Sequence, residues 1–277
     1  TEIICKPLEI EDYVVQPIVD VSPPKWHLGH TTWFFEEFLL KKYADNYSLF
    51  HPEFAYVFNS YYESIGKRVI RTNRGNLSRP TVKDIYDYRN YVTEKLVEFI
   101  DKGIDKDLEA ILEIGIHHEK QHQELLLTDI KYILGHNPLF PKYDDNFVES
   151  QVENMDKKWI NISEGTYTIG HKDNSFCYDN ELGVHKVFIQ DFGIKNALVT
   201  NKEYLEFIEN DGYKNTLLWH SEAWDWLKTF QISSPMYWHY TDGKWMRYGL
   251  SGLKELKHDM PVSHISYYEA FAFAQWK

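Results

Sequence analysis

Residues 107–137 read DLEAILEIGIHHEKQHQELLLTDIKYILGHN, and this stretch decides the fold of the first half of the chain. Its apolar residues recur at helical spacing, no proline interrupts it, and Gly135 with the Asn-Pro pair that follows supplies a stop signal. The stretch therefore predicts one long amphipathic helix. His118 and His122 lie four residues apart, so their side chains share one face of that helix about one turn apart.

The two histidines form a candidate metal site. Imidazoles within an apolar stripe need polar partners, and a helical pair at this spacing binds one metal ion in many proteins. The segment HEKQH also matches, as written, the H-E-x-x-H pattern of zinc proteases. The apolar, bundle-like surroundings of this segment favour a class of metal site other than that of the zinc proteases. A partly exposed pair bonded to backbone or water remains the alternative for His118 and His122.

A third ligand is expected from residues 22–36, SPPKWHLGHTTWFFE. Ser22 followed by two prolines predicts the start of a second helix, which should run to about Tyr43. His27 and His30 are three residues apart on that helix, so either side chain could face the first pair. Together the two stretches predict a three-histidine metal site.

The segments PPKWHLGHTTWFFE and HHEKQHQELLLTDIKY resemble the N-terminal DinB-like domain of the ergothioneine-biosynthesis sulfoxide synthases, also called hercynine oxygenases. The resemblance implies a DinB-like four-helix bundle that holds iron(II). It places the metal ligands at His30, His118 and His122. It makes His27 and His117 neighbours of the metal site and not ligands.

A basic cluster stands out between the two stretches, in a chain that is acidic overall. Its members are Lys67, Arg68, Arg71, Arg74 and Arg79. A solvated loop is one interpretation. The other is a carboxylate clamp, because arginine grips carboxylates through two parallel hydrogen bonds. The resemblance implies that Arg71 and Arg74, spaced as Arg-x-x-Arg, bind the carboxylate of a thiol substrate.

Further substrate-binding and catalytic residues follow from the same resemblance. Gln121 matches a residue that hydrogen-bonds hercynine. Glu124 is the acidic residue of the iron motif, expected to orient water or a ligand from outside the metal shell. Tyr61 and Tyr62 match a tyrosine pair near the iron and are the catalytic candidates. Exposure to solvent for Gln121 and core packing for the tyrosines remain the alternatives.

The second half of the chain has a different pattern. Residues 144–158, DDNFVESQVENMDKK, read as a polar linker. WINISEGTYTIG and HKVFIQDFGI after it predict short strands between turns. Together with MPVSHISYYEAFAFAQWK they resemble the formylglycine-generating-enzyme-like (sulfatase-modifying-factor) domain, which has a C-type-lectin-like fold. The predicted fold class is α+β, with a helical domain at 1–143 and this loop-rich domain at 159–277.

That second domain is expected to be incomplete at Lys277. Members of the family it resembles continue further, and the additional lobe carries much of the pocket for the betaine substrate and a catalytic tyrosine. Those residues are therefore not among the candidates in this sequence.

Composition narrows the function classes. A net charge of −12 and a pI near 5.5 argue against non-specific nucleic-acid binding. We expect no membrane segment, because no apolar run reaches spanning length, and no signal peptide, because no such pattern opens the sequence. The cysteines Cys5 and Cys177 suit a reducing compartment, so a cytoplasmic protein is expected. The oligomeric state is left open.

The resemblance implies an oxidoreductase, a non-haem iron(II), O2-dependent sulfoxide synthase. It would join cysteine or γ-glutamylcysteine to hercynine through a C–S bond in ergothioneine biosynthesis. Three neutral imidazoles would leave one face of the ion open for such substrates. The alternatives are an ovothiol- or selenoneine-type synthase, a DinB-like zinc or nickel thiol transferase active without O2, and a non-enzymatic binding protein with a structural metal.

Overall fold

The structure is a computed structural model that describes residues 1–60, 66–148 and 156–277. Tyr61 and Tyr62 lie outside the described residues, and so does the middle of the expected linker. Within the described ranges, no helix is both long enough and apolar enough to cross a membrane.

The chain divides into two compact units that do not follow its linear order. The first unit contains Thr1–Val148 and His239–Glu255, and the second contains Glu149–Trp238 and Leu256–Lys277. A segment from the C-terminal half thus belongs to the N-terminal unit. The domain boundaries expected from the sequence, at residues 143 and 159, remain a prediction, because compact units need not coincide with sequence domains.

Before residue 148, the regular secondary structure of the first unit consists of helices in the part that the structure describes. Its α-helices are α1 (Glu2–Cys5), α2 (Pro24–Phe35), α3 (Lys41–Tyr43), α4 (Phe54–Phe58), α5 (Val82–Asp101) and α6 (Lys106–Gly135). A π-helical turn, Glu36–Leu40, joins α2 to α3, and 3₁₀ turns span Ile10–Val14 and Arg71–Asn76. Helix α2 packs against both α5 and α6. The DinB-like four-helix arrangement stays a prediction.

Helix α6 confirms the long helix expected from its sequence. The Asp105 side chain caps its start by accepting hydrogen bonds from the N–H groups of Asp107 and Leu108. Helix α2 also begins at the expected place and continues through the π-helical turn to Tyr43. Every residue of α2 is buried, so this helix lies in the centre of the unit.

Two glycines let α2 approach its neighbours closely. A Cβ atom at Gly29 would lie 2.3 Å from the ring of Phe58, which belongs to α4. A Cβ atom at Gly115 of α6 would lie 2.5 Å from the ring of Phe35, at the end of α2. Because real side chains do not tolerate such distances, both positions require glycine for the observed packing.

A buried carboxylate fixes the end of α2. Glu36 accepts hydrogen bonds from the hydroxyls of Tyr47 at 2.7 Å and Tyr88 at 2.6 Å, and from the N–H of Phe50 at 3.2 Å. Burial, reinforced by Glu36, raises the pKa of Tyr88 well above its usual value, so the phenol stays a donor. These bonds tie α2 to α5 and to the loop between α3 and α4.

The C-terminal half adds three small antiparallel sheets and three helices to the described chain. The elements are β1 (Trp159–Ile162), β2 (Gly165–Ile169), β3 (His185–Ile189), β4 (Phe192–Lys195), α7 (Asn201–Glu209), α8 (Ser221–Phe230), β5 (Trp238–Thr241), β6 (Lys244–Gly249), β7 (Gly252–Glu255) and α9 (Tyr267–Trp276). Strand β1 pairs with β4, β2 pairs with β3, and β6 lies between β5 and β7. The expected mixture of helix and sheet is therefore present.

The β6–β7 hairpin belongs to the first unit through specific hydrogen bonds. The N–H of Tyr143 donates to the carbonyl of Leu250 at 2.9 Å. The hydroxyl of Tyr248 donates to the carbonyl of Pro141 at 2.7 Å, and the Tyr248 side chain is fully buried. The segment that follows α6 is thereby held against this hairpin.

We expect Gly115→Ala to destabilise the protein. In an open helix this change stabilises by about 1 kcal/mol, but here the added methyl group meets the Phe35 ring and overpacking costs about 1–3 kcal/mol. Chemical denaturation followed by circular dichroism measures the free energy of unfolding. Glu113→Ala, an exposed change on the same helix, is the control and should alter stability by less than about 0.5 kcal/mol. A Gly115→Ala variant as stable as the wild type would contradict the close packing.

Candidate metal centre

Three histidines from two packed helices meet in the first unit. His30 comes from α2, and His118 and His122 come from α6. Each offers a ring nitrogen, and these three nitrogens all lie within 4.8 Å of one another. The structure thus brings together the three residues that the family resemblance implied as ligands.

His30 is held on both ring faces and at one ring edge. Its imidazole stacks between Trp26, with ring centres 4.5 Å apart, and Trp33, at 5.5 Å. Its Nδ1 lies 2.6 Å from the carbonyl oxygen of Phe58. Because a carbonyl only accepts, Nδ1 carries the hydrogen and Nε2 keeps a free lone pair. The glycine at position 29 allows this approach of Phe58.

His122 is supported by a hydrogen-bonded neighbour. Its Nδ1 lies 2.9 Å from Nδ1 of His27, and Nε2 of His27 lies 2.8 Å from Oδ2 of Asp129. The same carboxylate oxygen accepts the N–H of Ser22 at 3.0 Å. His27 therefore contacts a candidate ligand without belonging to the three-nitrogen group.

The three candidate ligands are neutral at neutral pH. Burial lowers the pKa of His118 to about 4, and burial with the neighbouring imidazoles also lowers the pKa values of His30 and His122 well below the ordinary value of histidine. Burial also lowers the pKa of His27, although its bond to Asp129 opposes this. Protons therefore do not compete with a metal for these nitrogens near pH 7.

The donor set fits a divalent first-row metal ion. Neutral imidazoles suit zinc, copper, iron and nickel, so the ligands alone do not select among them. Nδ1 of His118 is buried and has no hydrogen-bond partner among the described residues. Leaving a buried polar atom without a partner costs free energy, and a metal ion bound beside the His118 ring would change the surroundings of this nitrogen. The site is therefore chemically suited to hold a metal.

The three histidines open into a cavity of about 490 Å³. This volume lies within the usual range for small-molecule sites. The lining includes both arginines of the predicted clamp together with neighbours of the histidines: Asp20, Ser22, Trp26, His27, Ser60, Arg71, Arg74, Gln121, Leu125 and Asp129. All of these residues belong to the first unit.

Arg74 is built into the cavity wall. Its guanidinium lies 3.4 Å from the ring centre of Trp26, on the face of the indole. Its two terminal nitrogens donate to the hydroxyls of Ser22 at 2.8 Å and Ser60 at 3.2 Å. The side chain is buried, and so its charge is held at a fixed place beside the histidines.

Arg71 reaches the cavity from the surface. Arg71 is exposed, and its guanidinium donates hydrogen bonds to the backbone carbonyls of Val19, at 3.0 Å, and Asp20. The segment just after the 3₁₀ turn that carries both arginines is held by Lys25, whose ammonium donates to the carbonyls of Leu77 and Pro80. The basic loop is thus packed against the start of α2.

The remaining candidates lie in different places. Gln121 lines the cavity and is exposed, whereas Glu124 is exposed and lies outside the lining. His117 borders a separate hollow on α6. The tyrosine pair at 61 and 62 lies outside the described residues. Both cysteines are free thiols, and burial raises the pKa of Cys5 to about 12.

Sequence reasoning missed the role of Asp129. It follows His122 by seven residues, two helical turns, so it lies on the same face of α6 as the histidines. An acidic residue on the apolar stripe of a buried helix needs a partner, and this was the available signal. The aromatic stacking around His30 had no comparable sequence signal beyond the nearby tryptophans.

We expect each ligand substitution to weaken metal binding strongly. His30→Ala, His118→Ala and His122→Ala each remove one of three neutral donors, so the cost should exceed the 10–100-fold that supporting residues typically contribute. Anaerobic titration of metal-free protein with Fe(II) or Co(II) measures the dissociation constant. His117→Ala, next to His118 on the same helix, is the control and should bind as the wild type does. Equal affinity in all four variants would contradict the site.

Comparisons with known proteins agree with some of the predictions made from the sequence. The family model described as sulfatase-modifying factor enzyme 1-like domain matches residues 145–277. Over 260 residues the chain is 27% identical to a hercynine oxygenase of Mycolicibacterium smegmatis (strain ATCC 700084 / mc(2)155). The alignment covers 92% of this chain and 58% of that relative, so the chain spans little more than half of the relative's length. The C-terminal part thus matches a sulfatase-modifying-factor domain, and most of the chain is similar to a hercynine oxygenase.

Proposed function

We propose that this protein holds iron(II) at His30, His118 and His122 and acts as an O2-dependent sulfoxide synthase of the hercynine oxygenase type. The reaction would join cysteine or γ-glutamylcysteine to hercynine through a C–S bond, in ergothioneine biosynthesis. The observation that carries the proposal is the three-histidine group at a cavity lined by two arginines. The similarity to a hercynine oxygenase supports the same reaction. A DinB-like identity for residues 1–143 is part of this proposal.

The iron, when bound, supplies the affinity for a thiolate and the redox chemistry with O2. The protein's own contribution is to bind and orient. The tryptophans that stack on His30 fix its ring and keep water from both of its faces. The remaining space beside the three nitrogens is the cavity itself, so substrates would meet the ion from that side.

The arginines supply the substrate's anchor. A carboxylate of the thiol substrate would bind the guanidinium groups of Arg71 and Arg74 while its sulfur faces the histidines. For Arg74 the present partners are two serine hydroxyls. A carboxylate can accept two parallel hydrogen bonds from one guanidinium and adds a charge attraction that a serine hydroxyl lacks, so it would replace them.

Gln121 and Glu124 complete the proposed substrate set. Gln121 lines the cavity one residue before His122, which allows a hydrogen bond to the imidazole ring of hercynine. Glu124 would act from outside the cavity lining by orienting water or a ligand. Tyr61 and Tyr62 are proposed as the catalytic tyrosines by resemblance.

We expect O2 consumption only when thiol and hercynine are both present. Protein loaded anaerobically with Fe(II) is mixed with cysteine or γ-glutamylcysteine and hercynine, and O2 uptake is recorded with mass spectrometry of the product. The expected product combines both substrates and carries added oxygen. The His118→Ala variant is the matched control. Thiol transfer in the absence of O2, with zinc or nickel in place of iron, would instead favour the DinB-like transferase.

We expect Arg71→Ala to raise the Michaelis constant for the thiol by about tenfold or more, because it removes a charge-assisted bond of about 1.5–3 kcal/mol. The constant for hercynine should change far less. Arg71→Lys should recover little, because lysine keeps the charge but loses the planar fork. Arg79→Ala, on the same basic loop but outside the cavity lining, is the control. Equal effects on both substrates would remove Arg71 from the thiol site.

A further inference from the structure

A chain of three side chains runs from a buried carboxylate to one of the candidate ligands. Oδ2 of Asp129 lies 2.8 Å from Nε2 of His27, and Nδ1 of His27 lies 2.9 Å from Nδ1 of His122. His27 is 1% exposed and cannot exchange these partners for water. The two imidazole rings meet edge to face, with centres 5.1 Å apart.

Hydrogen-bond chemistry gives this chain one consistent assignment when both rings are neutral. A carboxylate accepts, so Nε2 of His27 carries the hydrogen and Nδ1 of His27 keeps a lone pair. That lone pair accepts from Nδ1 of His122, which must then carry its hydrogen. Nε2 of His122 is left as the lone pair available to a metal ion.

The chain of Asp129, His27 and His122 is also tied to the residue before α2 by a hydrogen bond that involves no metal ion. The oxygen of Asp129 that accepts from His27 also accepts the N–H of Ser22, just before α2 begins. His27 and His30 both belong to α2, whereas Asp129 and His122 both belong to α6. Helix α2 therefore contributes one candidate ligand and also the residue that supports another.

We propose that His27 and Asp129 are positioning residues that hold His122 with Nδ1 protonated and Nε2 free for the metal ion. This inference rests on the metal site of the proposed function and concerns only how that site is prepared. Histidine ligands of metals commonly donate their other ring N–H to a carboxylate or carbonyl group. Here the carboxylate acts through an intervening imidazole, and the geometry assigns that role to His27.

A competing assignment exists and leads to the opposite result. A doubly protonated His27 would donate from both nitrogens, so Nδ1 of His122 would have to accept. His122 would then carry its hydrogen on Nε2 and lack a lone pair for the ion. The two assignments differ at a single proton position that nuclear magnetic resonance reports directly.

The first test needs neither metal nor activity. Metal-free wild-type protein with ¹⁵N-labelled histidine is studied near pH 7 by long-range ¹H–¹⁵N correlation, which distinguishes protonated from unprotonated ring nitrogens. The expected result is hydrogen on Nδ1 of His122 and on Nε2 of His27. Hydrogen on Nε2 of His122, or a doubly protonated His27, would overturn the inference. Because no metal is added, this result is independent of whether the proposed oxygenase function is correct.

The second test asks whether the support matters for binding. Asp129→Ala should mix the two forms of His122 and raise the Co(II) dissociation constant by about 10–100-fold. Asp129→Asn should recover most of the affinity, because an amide oxygen at the same place can accept from both His27 and Ser22. Glu113→Ala removes an exposed carboxylate from the same helix and is the charge-matched control.

The outcomes separate the two levels of the proposal. Unchanged affinity in a folded Asp129→Ala variant would overturn the positioning role. A wild-type protein that shows the expected hydrogens but binds no Co(II) would leave the hydrogen-bonded chain intact and refute the metal site. If Asp129→Ala does not fold, the measurement on wild-type protein decides, together with the Asp129→Asn variant.

Discussion

The burial of α2 is the constraint on which the candidate site depends. All residues of this helix are buried, although it carries Lys25, His27 and His30. A buried polar group without a partner costs far more than a satisfied one gains, so each of these side chains must meet a specific acceptor. Their partners come from other segments: backbone carbonyls accept from Lys25 and His30, and Asp129 accepts from His27, whose other ring nitrogen contacts His122. The polar contacts that satisfy α2 are therefore the contacts that arrange the site.

The sequence predicted the helices and histidines of this site, but it did not predict the tertiary contacts that hold them in place. Helical periodicity and capping identify α6, and the two prolines mark α2, because both signals are local. The histidine spacing predicted a three-histidine site, and the family resemblance selected His30 over His27 as its third member. The link between Asp129 and His27 depends on how two helices pack, which no local pattern encodes. The placement of Arg74 on the face of Trp26 depends on the same tertiary packing.

The division of the chain shows a second limit of linear reasoning. A change of composition near residue 144 predicted a boundary, and the matched family model begins at residue 145. Residues 239–255 nevertheless form a sheet within the first compact unit, held by bonds such as that of Tyr143 to Leu250. A strand's sequence indicates that it pairs but does not specify which unit it packs against. Sequence domains and compact units therefore differ here.

Stacking contacts link one of the arginines that line the cavity to one of the histidines that line it. The chain is strongly acidic overall, yet Arg71 and Arg74 line the space beside the histidines, where Asp20 and Asp129 also lie, so two guanidinium groups are available there to contact an anion. The guanidinium of Arg74 lies on Trp26 at 3.4 Å, and Trp26 stacks on His30 at 4.5 Å. An anion that draws Arg74 away from its serine partners would also alter its contact with Trp26. Since the same indole covers one face of His30, the proposed contact of an anion with Arg74 and the orientation of His30 both depend on the stack of Arg74, Trp26 and His30.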